Sequence, residues 1–130
     1  MAEKKSAALS GARLRLGRRG EQLAAQKLAA AGYAILACNY RCPAGEIDLV
    51  ARQNDTLVFV EVRTRRGAAF GLPEESLTAR KRRHLITAAQ HYVQAHAPAQ
   101  AAWRIDFVAV EFSVRGELKR IEIIENAIHE

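Results

Sequence analysis

Apolar residues recur along the chain with two periods, one typical of helices and one typical of strands. A stripe at helical spacing predicts a first helix over residues 17–31, with Gly32 following it as a stop signal. A second stripe predicts another amphipathic helix over residues 78–95. The stripes consist of Leu16, Leu23, Ala24, Leu28 and Ala31 in the first helix and Leu85, Ile86, Ala89, Tyr92 and Val93 in the second.

Shorter runs of β-branched and apolar residues predict five strands. Residues 38–44, which hold Pro43 and lead to Gly45, and residues 66–76, which hold Gly67, Gly71 and Pro73, are predicted loops. Small and charged residues over 1–16 predict a flexible basic arm. The element order α-β-β-β-α-β-β favours an α/β fold, with a compact sheet flanked by helices in one domain over residues 17–130. The predicted strands are residues 33–37, 46–52, 57–65, 104–112 and 118–124.

The second and third predicted strands form a hairpin that brings acidic side chains together. A short turn pairs residues whose numbers sum to 109, so Asp48 lies opposite Glu61 and Glu46 lies opposite Arg63. These side chains share one face of the sheet, where opposite Cβ atoms are about 4.5–5.5 Å apart. Strict alternation puts Glu46, Asp48 and Val50 on one face of the second strand and Ile47, Leu49 and Ala51 on the other.

Two carboxylates facing each other repel unless a positive charge compensates. A divalent cation bound by Asp48 and Glu61 would do so, and hard oxygen ligands suit Mg²⁺ or Mn²⁺. The alternative is a surface ion-pair network with Arg63. The sequence LVFVEV around Glu61 favours a functional role, because it is the most apolar strand of the chain and a charge there needs a reason.

Glu21 lies on or beside the buried stripe of the first helix, from which its carboxylate could point toward Asp48 and Glu61. The alternative for Glu21 is a glutamate favoured at a helix start by the helix dipole. Its position alone does not decide between the two.

Basic residues are concentrated ahead of the last two strands. The chain carries 20 Lys and Arg against 14 Asp and Glu, a net charge of +6, and residues 1–103 hold 16 of those cations against 8 carboxylates. The guanidinium fork of arginine matches phosphate, and a cationic helix N-terminus is suited to binding it. The predicted nucleic-acid contacts are Arg18, Arg19, Arg41, Arg65, Arg66, Arg80, Lys81, Arg82 and Arg83.

The sequence also indicates the cellular compartment in which we expect the protein. Every apolar run is shorter than the eighteen or so residues of a membrane span. The N-terminal cations are not followed by the apolar stretch of a secretory signal. We therefore expect a cytoplasmic protein without membrane contact, with free thiols at Cys38 and Cys42.

Four sequence blocks resemble the YraN family of small bacterial proteins: GRRGE (17–21), NYR (39–41), GEIDLV (45–50) and FVEVRTR (59–65). With shorter matches, the resemblance covers nearly all of residues 13–128. It implies a restriction-endonuclease-like fold with a mixed central sheet, similar to archaeal Holliday-junction resolvases. It also implies that Glu21, Asp48 and Glu61 are metal-site carboxylates. The sequence departs from the superfamily pattern at Arg63, where that pattern has lysine.

These features together predict a Mg²⁺- or Mn²⁺-dependent nuclease that hydrolyses DNA, including branched or structured forms. Glu21, Asp48, Glu61 and Arg63 are the expected catalytic residues, with Glu46 nearby, and a resolvase-like task favours a homodimer. The alternative is a non-catalytic nucleic-acid-binding protein on the same fold, because arginine does not release a proton as lysine can. A third possibility is an interaction protein whose basic face binds an acidic partner.

Overall fold

The structure, a computed structural model, describes residues 2–67, 71–98 and 101–128, with the backbone alone at residues 2–10 and at Arg13. Within these ranges the element order is α-β-β-β-α-β-β, and the predicted α/β class is confirmed. The elements are α1 (Ala2–Ala30), β1 (Ala34–Cys42), β2 (Gly45–Gln53), β3 (Thr56–Arg66), a 3-10 turn (Pro73–Ser76), α2 (Ala79–His96), β4 (Trp103–Phe112) and β5 (Leu118–Ile128).

The strands form one mixed sheet in the order β1-β2-β3-β4-β5. The pairs β1/β2, β2/β3 and β4/β5 are antiparallel, and β3/β4 is parallel. A parallel pair needs a long crossover connection, which α2 supplies between β3 and β4. The mixed sheet that the family resemblance implies is therefore present.

Each face of the sheet is covered by one helix. On the first face, apolar residues of β3 and β4 pack with Ala24 and Leu28 of α1. On the second face, Phe59 and Ile105 pack with Leu85 and Ala89 of α2. The apolar stripe of each helix thus packs against one face of the sheet, as its amphipathic pattern predicts.

Several element boundaries differ from the prediction, most of all the end of β1 and the start of α1. The predicted loop over 38–44 is wrong: β1 continues to Cys42, and only residues 43–44 form the turn before β2. Pro43 misled the sequence prediction, because proline marks loops in general but is also accommodated in a tight turn. Helix α1 begins at Ala2, so the segment predicted to be a flexible arm has helical backbone, and its mobility stays a prediction.

A buried carboxylate ties together three parts of the fold. Asp106, fully buried in β4, accepts hydrogen bonds from the Tyr33 hydroxyl (2.8 Å), from Arg104 Nε (2.9 Å) and from the backbone N–H of Asn126 (2.9 Å). The pairing of β4 with β5 is irregular at this point. Asp106 therefore provides an acceptor where the regular ladder is interrupted. Burial and then the hydrogen bond to Asp106 raise the pKa of Tyr33 to about 12.

The two outer strands, β1 and β5, are both irregular. The register of β1 shifts between Ile35 and Ala37, and β5 shifts opposite the start of β4. Each strand also contains an asparagine with left-handed backbone, Asn39 (φ 55°) and Asn126 (φ 49°). Asparagine tolerates this conformation better than most residues, so both strands depart from regular extended geometry there.

Neither helix in the described ranges combines the length and the apolar composition needed to cross a bilayer.

Candidate active site

The site lies where β2 and β3 separate. Their ladder runs from Gln53↔Thr56 to Leu49↔Val60, so the predicted pairing in which residue numbers sum to 109 is confirmed. The ladder stops before Asp48. Beyond that point a side-chain acceptor is used in place of a backbone carbonyl. Asp48 Oδ2 accepts a hydrogen bond from the backbone N–H of Val62 at 2.8 Å.

The predicted alternation of side chains fails at this point. Leu49 packs on the α1 face, but Ile47 packs on the α2 face, so the prediction that these two residues share a face is wrong. The sequence pattern assumes an unbroken pleat. Where the ladder ends, β2 changes faces and the Asp48 carboxylate is directed toward β3.

A cleft of about 780 Å³ opens beside this separation, between α1 and the C-terminal half of β3. It brings together residues that the sequence predicted from three different segments. Its polar lining consists of the carboxylates Glu21, Glu46, Asp48 and Glu61 together with Arg63, Arg65 and Arg66. One part of the cleft is therefore acidic and the part that follows along β3 is basic.

Glu61 is the most unusual group in the cleft. Its side chain is buried, with the residue only 8% exposed. Burial, the negative charge of Asp48 and a hydrogen bond between the two carboxyl groups raise the pKa of Glu61 to about 8. Arg63 Nε lies 3.4 Å from Glu61 Oε1 and acts in the opposite direction, but burial is the larger effect. Without a bound cation the pair therefore resists carrying two charges near neutral pH.

Glu21 stands somewhat apart from this pair. It is half-buried on α1, and its pKa is raised first by burial and then by the negative charges of Asp48 and Glu46. The described residues contain no group of three or more His, Cys, Asp or Glu side chains close enough to hold a metal ion together. The adjacent carboxylates are Asp48 and Glu61, and the ligand role of Glu21 stays a prediction.

Glu46 does not lie opposite Arg63 in a β2/β3 ladder, because that ladder ends before it, and this detail of the prediction is wrong. It pairs instead with Arg41 of β1, with Arg41 Nε 3.8 Å from Glu46 Oε1. Both side chains are exposed, so the ion pair contributes little to stability.

The predicted basic contacts fall into two groups. Most are exposed on α1, β1 or the first turns of α2. Two instead hold the turn between β4 and β5: Arg19 Nη1 donates to the Gly116 carbonyl (2.9 Å), and Arg66 Nε donates to the Val114 carbonyl (2.8 Å). Arg19 also lies over the Phe112 ring, 4.7 Å from its centroid. These two arginines therefore have a structural task at the edge of the cleft.

Sequence reasoning gave no role to Gly20, which is buried against β3 next to Glu21. A Cβ atom at Gly20 would overlap the Thr64 side chain, first of all its Oγ1. The glycine thus allows α1 to approach β3 closely and sets the position of Glu21. Its signals in the sequence are its place in the GRRGE block and its position inside a predicted helix, where a glycine generally has a packing or functional reason.

We expect Gly20→Ala to lower the free energy of unfolding by about 1–3 kcal/mol, because the added methyl group overpacks the contact with Thr64. Gly17→Ala is the matched control: its Cβ would meet nothing within 4 Å. It should raise the free energy of unfolding by about 0.5–1 kcal/mol through helix propensity. Urea denaturation of both variants measures the difference, and equal stabilities would contradict the close approach. Thr64→Ala, combined with Gly20→Ala, should recover part of the loss.

The fold and the cleft define a class of protein: a small α/β protein whose mixed sheet carries paired carboxylates and arginines at the separation of two central strands. The family model described as uncharacterised protein family UPF0102 matches residues 20–110. The chain belongs to this family, which is the YraN family indicated by the sequence blocks.

Three relatives carry the same description over nearly their whole length. A UPF0102 protein of Roseiflexus castenholzii is 48% identical over 123 residues, which cover 94% of this chain and 99% of the relative. One from Dehalococcoides mccartyi is 46% identical, covering 88% of this chain and 93% of the relative. One from Caldicellulosiruptor saccharolyticus is 43% identical, covering 86% and 95%.

Proposed function

We propose that the protein is a metal-dependent nuclease that hydrolyses phosphodiester bonds in DNA, with branched or structured DNA as the favoured substrate. The observation that carries the proposal is the contact between the buried Glu61 and the half-buried Asp48, in a cleft that continues into arginines. A buried like-charge pair is costly for a fold, and perturbed carboxyl pairs in clefts are concentrated at functional sites.

The donor set fits Mg²⁺ or Mn²⁺. Magnesium is commonly bound through one or two carboxylates, with water and substrate phosphate completing its shell, so Asp48 and Glu61 suffice. Glu21 is placed to act on this pair through its charge. A metal bound there supplies a Lewis acid and an activated water at neutral pH.

The protein's own groups then position the substrate. Asp48 is fixed by the Val62 N–H, which holds its carboxylate toward β3. Arg63, permanently charged, is placed beside Glu61 to stabilise negative charge on a phosphate in the transition state. The exposed arginines on α1, β1 and α2 provide contacts along the nucleic-acid backbone, which predicts binding that weakens steeply with salt.

The test is a cleavage assay on labelled four-way junction, flap, single-stranded and duplex DNA, with Mg²⁺ or Mn²⁺. We expect metal-dependent cleavage by the wild type and its loss, by at least about a hundredfold, in Asp48→Asn and Glu61→Gln. Glu117→Gln, which changes an exposed carboxylate in the β4–β5 turn, is the matched control and should keep activity. The preferred substrate would identify the branched or linear class.

The second candidate is a binding protein without catalysis, favoured by the ion pair that Arg63 makes with Glu61. Binding of all substrates without cleavage in either metal would support it and overturn the nuclease proposal. Homodimerisation and a cytoplasmic location stay predictions. The former is tested by measuring the molecular mass in solution with and without a four-way junction.

A further inference from the structure

The basic part of the cleft has more positive charge than its surroundings neutralise. Arg63 and Arg65 are two residues apart on β3 and therefore project to the same face. Both side chains are half-buried. Arg65 Nε is shielded from solvent without a hydrogen-bond partner in the described residues, whereas Arg63 Nε has an ion-pair contact with Glu61 but no hydrogen bond there. A buried donor without an acceptor costs stability, which indicates that an acceptor from outside the chain belongs here.

Lys81 adds a third cation from the first turn of α2. It is half-buried, whereas Arg80 and Arg82 on either side of it are exposed. Burial lowers the pKa of Lys81, the positive charges of Arg63 and Arg65 lower it further, and the negative charge of Glu61 raises it. Lys81 therefore lies within electrostatic range of these three side chains of β3.

The start of α2 adds to this excess of positive charge. Its first turn contains no acidic residue, although the positive end of the helix dipole favours one. Thr78 caps the helix, its Oγ1 accepting the backbone N–H of Lys81 at 3.2 Å. The cap thereby fixes the backbone of Lys81 in the first turn of α2.

Two of these three cations have no anionic partner in the described residues. Glu61 pairs with Arg63, whereas Arg65 and Lys81 form no ion pair within the described part of the chain. Two unpaired cations match a dianion better than a monoanion. A phosphate monoester carries a charge of about −1.5 to −2 at pH 7, whereas an internal phosphodiester carries one.

We propose that Arg65 and Lys81, next to Arg63, form a phosphate subsite that binds the terminal phosphate monoester of a nucleic-acid strand. The subsite deepens the proposed nuclease function and rests on it for the identity of the strand. At about 3.3 Å per residue, the Cα atoms of Glu61 and Arg65 are about 13 Å apart. A strand whose end is held there presents a bond within a few nucleotides of that end to the carboxylates.

The test measures binding without chemistry. Fluorescence anisotropy in EDTA compares short single strands of one sequence that carry a 5′-phosphate, a 3′-phosphate or neither. We expect one phosphorylated end to bind about tenfold more tightly than the unphosphorylated strand, because it adds charge-assisted hydrogen bonds. Inorganic phosphate should compete away this preference.

Arg65→Gln and Lys81→Gln should each reduce that affinity ratio to near one. The exposed Arg52→Gln, on β2 outside the cleft, should leave the ratio unchanged. A wild-type ratio near one, or an equal loss of the ratio in Arg52→Gln, would overturn the subsite. Because the measurement needs neither metal nor cleavage, a preserved ratio in a protein that fails to cleave would overturn the nuclease proposal and leave the subsite standing.

Discussion

Asp106→Ala is expected to lower the free energy of unfolding by about 3 kcal/mol, because it leaves the Arg104 guanidinium without its buried partner. It also removes the acceptor for the Tyr33 hydroxyl and the Asn126 N–H, in the interior of the protein. Urea denaturation at neutral pH measures the loss. Asp106→Asn keeps an acceptor oxygen and should lose about half as much.

Glu122→Ala is the control for Asp106→Ala. Glu122 is exposed and shares Arg120 with Glu74 and Glu111, so its removal should cost less than about 1 kcal/mol. A loss for Asp106→Ala no larger than that for Glu122→Ala would contradict the role of Asp106 as the joint between β4 and β5. In a folded Asp106→Asn variant, Tyr33 should also titrate closer to its ordinary range.

Glu61→Gln should have the opposite effect on stability. We expect it to raise the free energy of unfolding at pH 9 in EDTA by about 1–3 kcal/mol. In the separate cleavage assay with Mg²⁺ or Mn²⁺, the same variant should lose activity. The neutral amide removes the cost of a buried charge next to Asp48 and can still hydrogen-bond to it. A gain in stability together with a loss of activity is typical of a group retained for function rather than for folding.

The direction of the pKa shift of Glu61 determines how the stability of the wild type changes with pH. Because the pKa of Glu61 is raised above its unfolded value, the folded state binds this proton more tightly than the unfolded state does. Wild-type stability should therefore fall as the pH rises from about 4.5 through about 8, and the advantage of Glu61→Gln should disappear below that range.

Glu46→Gln, which changes an exposed carboxylate paired with Arg41, is the control and should alter stability little. The surface ion-pair interpretation of Asp48, Glu61 and Arg63 predicts the reverse for Glu61→Gln, a loss of stability at pH 9. That result would remove the main argument for a functional pair.

Much of the fold was predictable because local signals and packing agree. The two amphipathic stripes predicted α1 and α2, and the short turn predicted the β2/β3 register as far as Leu49 and Val60, the residues next to Asp48 and Glu61. The apolar strand around Glu61 marked its charge as unusual, and the residue is indeed buried. In each case the pattern along the chain reflects a contact that is close in sequence.

The rest depends on contacts between distant segments. The change of face between Ile47 and Leu49 arises because the ladder ends at Asp48, and no alternation pattern contains that information. The buried network of Asp106 joins residues more than 70 positions apart. Likewise, the hydrogen bond from Arg19 to a carbonyl 97 residues away has no local pattern, and its nucleic-acid contact stays a prediction.

The asparagines of the outer strands bear on how copies of this protein meet. A regular edge strand exposes a row of N–H and C=O groups on which another chain can add a strand, and that route leads to aggregates. Asn39 and Asn126 interrupt this row on both sides of the sheet, together with the register shifts of β1 and β5. Sheet growth from molecule to molecule is therefore disfavoured at both edges. In the predicted homodimer, contact through helices or turns would leave the sheet of each copy five strands wide.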